Sequence, residues 1–221
     1  FEKPYVDVEH AVNGVPREEH RQLALQTARE GIVLLKNENG LLPLDRNKLR
    51  TIAVIGPNAD DERNQLGDYT SKIILQDIVT VLEGIRAKAA PGTKVLHVQG
   101  CEVMGERVNQ IREAREAARQ AQVAVVVVGE SRRTNGEGRD VASLDLTGMQ
   151  EELIEAVHAT GTPTVVVLIN GRPLSVRWAA ENIPAIVEAW LPGEQGGTAV
   201  AEVLFGDVNP SGRLPVTFAR H

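Results

Sequence analysis

Two rhythms of apolar and polar positions alternate along this chain. Short runs such as VAVVVV at 123–128 and TVVVLI at 164–169 are apolar without interruption. Such runs, too short to span a bilayer, read as strands covered on both faces. Between them lie stretches whose apolar residues recur three and four positions apart, the period of a helix. From residue 51 the alternation predicts strands over Thr51–Ile55, Lys94–Val98, Val123–Val128, Thr164–Ile169 and Ala185–Ala189. It predicts helices over Ile74–Lys88, Val108–Gln120, Thr147–Ala159, Leu174–Ala180 and Glu194–Phe205. Strands alternating with helices imply right-handed crossovers and a mainly parallel sheet. The expected fold class is therefore α/β, a three-layer α/β/α sandwich of about six strands. A last extended segment, Gly212–Phe218, is expected to add an antiparallel edge.

Ahead of this region, Phe1–Gly14 reads as an extended linker with Pro4 and an Asn13-Gly14 turn. Pro16 opens a helix expected to run to about Asn37, with Leu23, Thr27, Ala28, Ile32 and Leu35 as its apolar stripe. Residues 1–48 are thus taken as linker and first helix, and 49–221 as the sandwich. Thr147 and Gln150 have the spacing of a capping box.

Composition narrows the function classes. Of 221 residues, 42% are hydrophobic and 24% charged, which supports a full core. The net charge of −6 argues against a nucleic-acid partner, which calls for a basic face. Cys101 is the single cysteine, so no internal disulfide forms. No apolar run approaches the ~20 residues of a membrane span. The chain starts FEKPYVD, without an initiator Met, and ends LPVTFARH, so both ends read as cut from a longer protein and the compartment stays unassigned.

Several chemistries lack their motifs. The first strand ends Gly56-Pro57-Asn58, where a dinucleotide fold places G-x-G-x-x-G. There is no phosphate loop, no G-x-S-x-G nucleophile elbow and no H-E-x-x-H, and the five histidines show no metal spacing. Neither a metal nor another cofactor is expected. The run after 123–128, GESRRTNGEGRD, is different: a polar loop leaving the carboxyl end of a buried strand, where α/β sheets meet ligands. Glu130 and Glu137 are its candidate acid/base carboxylates. Glu130 could equally pair with Arg132, Arg133 or Arg139. Glu137, between Gly136 and Gly138, could equally be a solvated loop charge; the glycines would let its loop approach a ligand closely. In Gly67-Asp68-Tyr69-Thr70, Tyr69 could stack on a sugar ring or simply pack. Trp190-Leu191-Pro192-Gly193-Glu194-Gln195-Gly196-Gly197 reads as a turn whose small residues permit close helix–strand packing.

Taken together, ALQTAREGIVLLKNENGLLPL, IAVIGPNAD, VVVVGES with GEGRD and LDLTGMQEELI, VVVLINGRPL, and WLPGEQGGTAVAEVLFGDVNPSGRLPVTF resemble the second, α/β-sandwich domain of glycoside hydrolase family 3. The resemblance covers nearly the whole chain in order. It implies a preceding (β/α)8 barrel that supplies an aspartate nucleophile, with the sandwich lending a general acid/base. By that resemblance Glu137 is the acid/base, with Glu130 in reserve, and Asp68, Tyr69 and Arg139 border the substrate. It implies an exo-acting, retaining β-glycosidase, β-glucosidase first and β-xylosidase second, in which this chain alone lacks one of two carboxyls. The expected partners are a β-glucoside or oligosaccharide and the barrel of the same enzyme. A homo-oligomer is compatible with it; nucleic acid and membrane are not expected. The competing readings are a non-catalytic module that binds carbohydrate or completes a barrel, and a flavodoxin-like or nucleotide-binding domain.

Overall fold

The computed structural model describes residues 2–14, 18–70, 73–105 and 109–220. The expected helix starts at Pro16 and Val108 lie outside them. Among the described residues six strands form one sheet: β1 (Val33–Asn37), β2 (Thr51–Ile55), β3 (Lys94–Val98), β4 (Val123–Gly129), β5 (Thr164–Ile169) and β6 (Ala185–Trp190), in the order β1-β6-β5-β4-β2-β3. All neighbours run parallel except β1, which pairs antiparallel with β6. Among the described residues, seven α-helices accompany it: α1 (Val8–Asn13), α2 (Glu18–Gly31), α3 (Val81–Lys88), α4 (Asn109–Arg119), α5 (Gln150–His158), α6 (Arg177–Asn182) and α7 (Gly196–Phe205).

Strand side chains point alternately to opposite faces, and that period sorts the core into two layers. Val123, Val125, Val127, Val165 and Val167 pack with Ala28 of α2, Leu82 of α3 and Leu204 of α7. Ala124, Val126, Val128, Val166 and Leu168 pack with Ala114 of α4, Leu153 of α5 and Ala179 of α6. Every residue of β4 and β5 is buried, as expected for strands covered on both faces. The three-layer, mainly parallel sandwich is therefore the fold.

Five local expectations are corrected. The helix predicted through Asn37 stops at Gly31, and Val33–Asn37 is the antiparallel edge strand. Leu25 and Ala28 face the core while Leu23 is 63% exposed, so the apolar stripe was read from the wrong residue. Gly212–Phe218 forms no strand; β1 already occupies the outer edge of β6, and the segment lies across the molecule with Phe218 edge-on to Trp190 at 5.8 Å. The 1–14 lead-in is not wholly extended, since Asp7 caps the short α1 by accepting from the His10 amide. Finally, the capping box lies at Thr80 and Glu83 on α3, which starts at Val81 after a 3-10 turn at Leu75–Asp77. Gln150 instead is buried, accepting from the Gly129 amide at 2.8 Å and donating to the Gly129 carbonyl at 2.9 Å.

Small residues of the 190–197 turn permit a close approach, but between helices. A Cβ on Gly197 would stand 1.8 Å from the Thr80 carbonyl oxygen, and one on Gly84 would stand 2.0 Å from that of Gly197. The α3–α7 crossing thus excludes even alanine.

Candidate functional site

After β2 the chain goes to β3 on one side, then crosses back to β4 on the other. Strand order reverses there, and the crevice beyond the strands' carboxyl ends is where such sheets bind ligands. The loops after β2 and β4 form its walls. Asn58, 2% exposed, ties them together: its Nδ2 donates to the Glu130 carbonyl at 3.0 Å and its Oδ1 accepts from Asn64 at 2.9 Å. The turn that replaces a phosphate-binding glycine loop is therefore filled by a structural amide. Gln65, 1% exposed, anchors the same loop by donating to the carbonyls of Val79 (3.0 Å) and Gly193 (2.8 Å).

So anchored, the β2 loop presents Asp68 and Tyr69 to the β4 loop. The Asp68 carboxylate accepts from the Glu137 amide at 2.8 Å, and the Tyr69 hydroxyl donates to the Glu137 carboxylate at 2.6 Å. Gly136 makes this possible: its φ is 135°, and a Cβ there would lie 2.5 Å from Asp68 Oδ2. Glu137 and Tyr69 are exposed at the rim. The hydrogen bond to Glu137 is the main cause holding the Tyr69 hydroxyl above its ordinary pKa. Three of the residues singled out from sequence thus meet: Asp68, Tyr69 and Glu137. Arg139 joins through its backbone, its amide donating to the Gly136 carbonyl at 3.1 Å, while its side chain is exposed.

Glu130 stands elsewhere. At the end of β4 it is 5% exposed, accepts from the Gly171 amide at 3.1 Å and lies 2.9 Å from Arg172 Nε. That contact is an ion pair without hydrogen-bond alignment. Its partner is thus Arg172, not Arg132, Arg133 or Arg139. Burial raises the Glu130 pKa, with the Gly171 amide and the Arg172 charge opposing. Arg172 Nη2 also donates to the carbonyls of Thr134 (2.9 Å) and Arg139 (3.0 Å).

Sequence reasoning passed over a second carboxylate. Glu188 of β6 is fully buried, accepting from the Trp190 amide at 2.7 Å and from Asn170 Nδ2 at 3.2 and 3.1 Å. Burial, against those hydrogen bonds, pushes its pKa up to about 8. The signal was available as one charged residue inside the buried run AIVEAW. Among the described residues, no group of three or more His, Cys, Asp or Glu side chains is placed to hold a metal ion, and no helix is long and apolar enough to cross a membrane.

Set beside known proteins, the sandwich is of the class found as a domain of glycoside hydrolases. The chain belongs to the glycosyl hydrolase family 3 C-terminal domain family, whose model matches residues 32–221. It is 46% identical over 219 residues to a β-xylosidase of Formosa agariphila, matching 97% of this chain and 30% of that protein. It is 40% identical to a periplasmic β-glucosidase of Salmonella typhimurium, matching 91% of this chain and 29% of that protein. Among solved structures, a β-glucosidase from Erythrobacter marinus superposes with a TM-score of 0.90 at 40% identity, over 98% of this chain and 32% of its own. The chain thus spans about 30% of the length of the relatives it matches.

Proposed function

We propose that this chain acts as the C-terminal sandwich of an exo-acting, retaining β-glycosidase, joined in one polypeptide to a (β/α)8 barrel that carries the nucleophilic aspartate. The sandwich takes in α2 and the edge strand β1 as well as everything from residue 49 onward, and the segment through α1 leads into it. The carrying observation is the exposed Glu137 carboxylate, hydrogen-bonded by Tyr69 and fixed at its amide by Asp68. A retaining site needs two carboxyls roughly 5–5.5 Å apart, one as nucleophile and one as acid then base. In this reading the barrel aspartate attacks the anomeric carbon while Glu137 gives its proton to the departing glycosidic oxygen. Glu137 then takes a proton from the water that releases the sugar. Asp68, Tyr69 and Arg139 border the leaving-group side. Glu130, buried on Arg172, has no free carboxylate to offer.

β-Glucosides are the first substrate, in keeping with the β-glucosidases among the relatives. A β-xyloside is the second reading, favoured by the 46% identical β-xylosidase. The test is Glu137→Gln in the barrel-bearing polypeptide. Turnover of a phenyl β-glycoside should fall by about 10²–10⁴-fold, the usual contribution of a general acid/base. Undiminished turnover would leave the domain as a non-catalytic module.

A further inference from the structure

The loop that carries Glu137 is closed from within by short turns only, the Asn135 amide donating to the Ser131 carbonyl at 2.9 Å and the Arg139 amide to the Gly136 carbonyl at 3.1 Å. Residues 135–138 are bracketed by two carbonyls, those of Thr134 and Arg139, and both accept from one nitrogen, Arg172 Nη2. The same guanidinium turns its Nε to Glu130, which leaves the end of β4 and is itself held by the Gly171 amide beyond β5. The connection therefore runs from two rigid strand ends, through one planar cation, to both shoulders of the turn on which Glu137 sits. Asp68 supplies a third hold at the Glu137 amide. A guanidinium can grip two acceptors with one edge while facing a carboxylate with another; an ammonium is a single point charge and cannot.

We infer that Arg172, seated on Glu130, is the positioning residue for the acid/base: it sets where the Glu137 carboxyl stands without touching substrate. This rests on Glu137 having the role proposed above. Displacing a catalytic group by about 1 Å costs on the order of 10²-fold in rate. That loss should fall on the steps in which Glu137 moves a proton, and spare the others.

The test uses the barrel-bearing enzyme with Arg172→Met, Arg172→Lys and Glu137→Ala side by side. Each is assayed on a phenyl β-glycoside, whose leaving group needs protonation, and on the 2,4-dinitrophenyl β-glycoside, whose leaving group does not. Each is repeated with azide, which attacks the anomeric carbon of the glycosyl-enzyme, expels the aspartate carboxylate and forms the glycosyl azide without a base. Arg172→Met should lose about 10–100-fold in kcat/KM on the phenyl glycoside, with KM nearly unchanged, and about threefold or less in kcat/KM on the dinitrophenyl glycoside. Azide should raise its dinitrophenyl turnover. Amide hydrogen exchange over 134–140 should quicken while the β4 and β5 amides stay protected. Arg172→Lys keeps the charge against Glu130, so it should fold even if the methionine variant does not, and it should show the same pattern with a smaller loss. Equal losses on both glycosides without an azide effect, or unchanged exchange at 134–140, would overturn the inference. If Glu137→Ala itself shows no leaving-group dependence, the acid/base reading is what fails, and the exchange measurement alone decides whether Arg172 holds the loop.

Discussion

Replacing Glu188 by glutamine should make the protein more stable, and increasingly so as pH rises. Glu188 is fully buried, and burial lifts its pKa from 4.5 to about 8. Between those values the folded protein keeps a proton that the unfolded chain has released. Stability therefore falls as pH rises from about 4.5, and stops falling above about 8. At ~1.36 kcal/mol per pH unit, the interval from 4.5 to about 8 sets a ceiling of ~5 kcal/mol, with ~3 kcal/mol already lost at pH 7. Glutamine has no proton to lose. Its Oε1 can still accept from the Trp190 amide. Losing the Asn170 donation to one carboxyl oxygen costs about 1 kcal/mol. In urea titrations at constant ionic strength, Glu188→Gln and the parent should lie within about 1 kcal/mol at pH 5. The variant should lead by roughly 2–4 kcal/mol at pH 8–9. Parallel stability curves across pH 5–9, or a variant weaker at pH 9, would refute the buried-proton argument.

Two further outcomes test other parts of the molecule. Glu202, 5% exposed, takes Arg29 through both oxygens at 2.6 and 2.7 Å and Lys88 at 2.9 Å. Burial works against its charge, but the hydrogen bonds from Arg29 and Lys88 outweigh that and hold its pKa below the ordinary value. Glu202→Ala should cost about 2–3 kcal/mol, below the usual range for buried pairs because both cations are part-exposed and Asp207 stays 3.3 Å from Lys88; a thermal melt should drop by about 5–10 °C. Gly136→Ala forces a side chain onto a φ of 135° and against Asp68; kcat/KM on a phenyl glycoside should fall about 10–100-fold while stability falls by about 1–3 kcal/mol, so that at a temperature well below the melt the rate loss stands apart from unfolding.

β2, β4 and β5 were legible because burial on both faces leaves an apolar run, while the part-exposed β3 (KVLHV) and the Glu188-bearing β6 (AIVEAW) followed from the alternation of strands with helices. β1 was not, since Leu35 continues, at spacings that a helix also satisfies, the stripe that Ala28 and Ile32 carry out of α2. Its pairing is decided by the free edge of β6, which no local pattern reports. The capping boxes show the same limit. Thr147/Gln150 and Thr80/Glu83 share a spacing, but Gln150 is drawn inward by the strand-end peptide of Gly129, leaving the second pair to cap.

At the rim, legibility followed a different line. Asp68, Tyr69 and Glu137 could be singled out because polar residues at a strand's carboxyl end face solvent and have no packing duty. That they meet each other was not in the pattern, because 68 and 137 are joined only through the reversal of strand order between β2 and β4. Arg172 was missed for a related reason: a guanidinium three residues past β5 looks like any surface charge until Glu130 is seen beneath it and two carbonyls beside it. Chain order sets these contacts apart by 33–42 positions or more; the parallel sheet, whose consecutive strands all end on one side, brings them within 3.1 Å. The fold thereby places an adaptable, glycine-flanked acid on a loop while its supports come from strands that every packed valine of the core holds still.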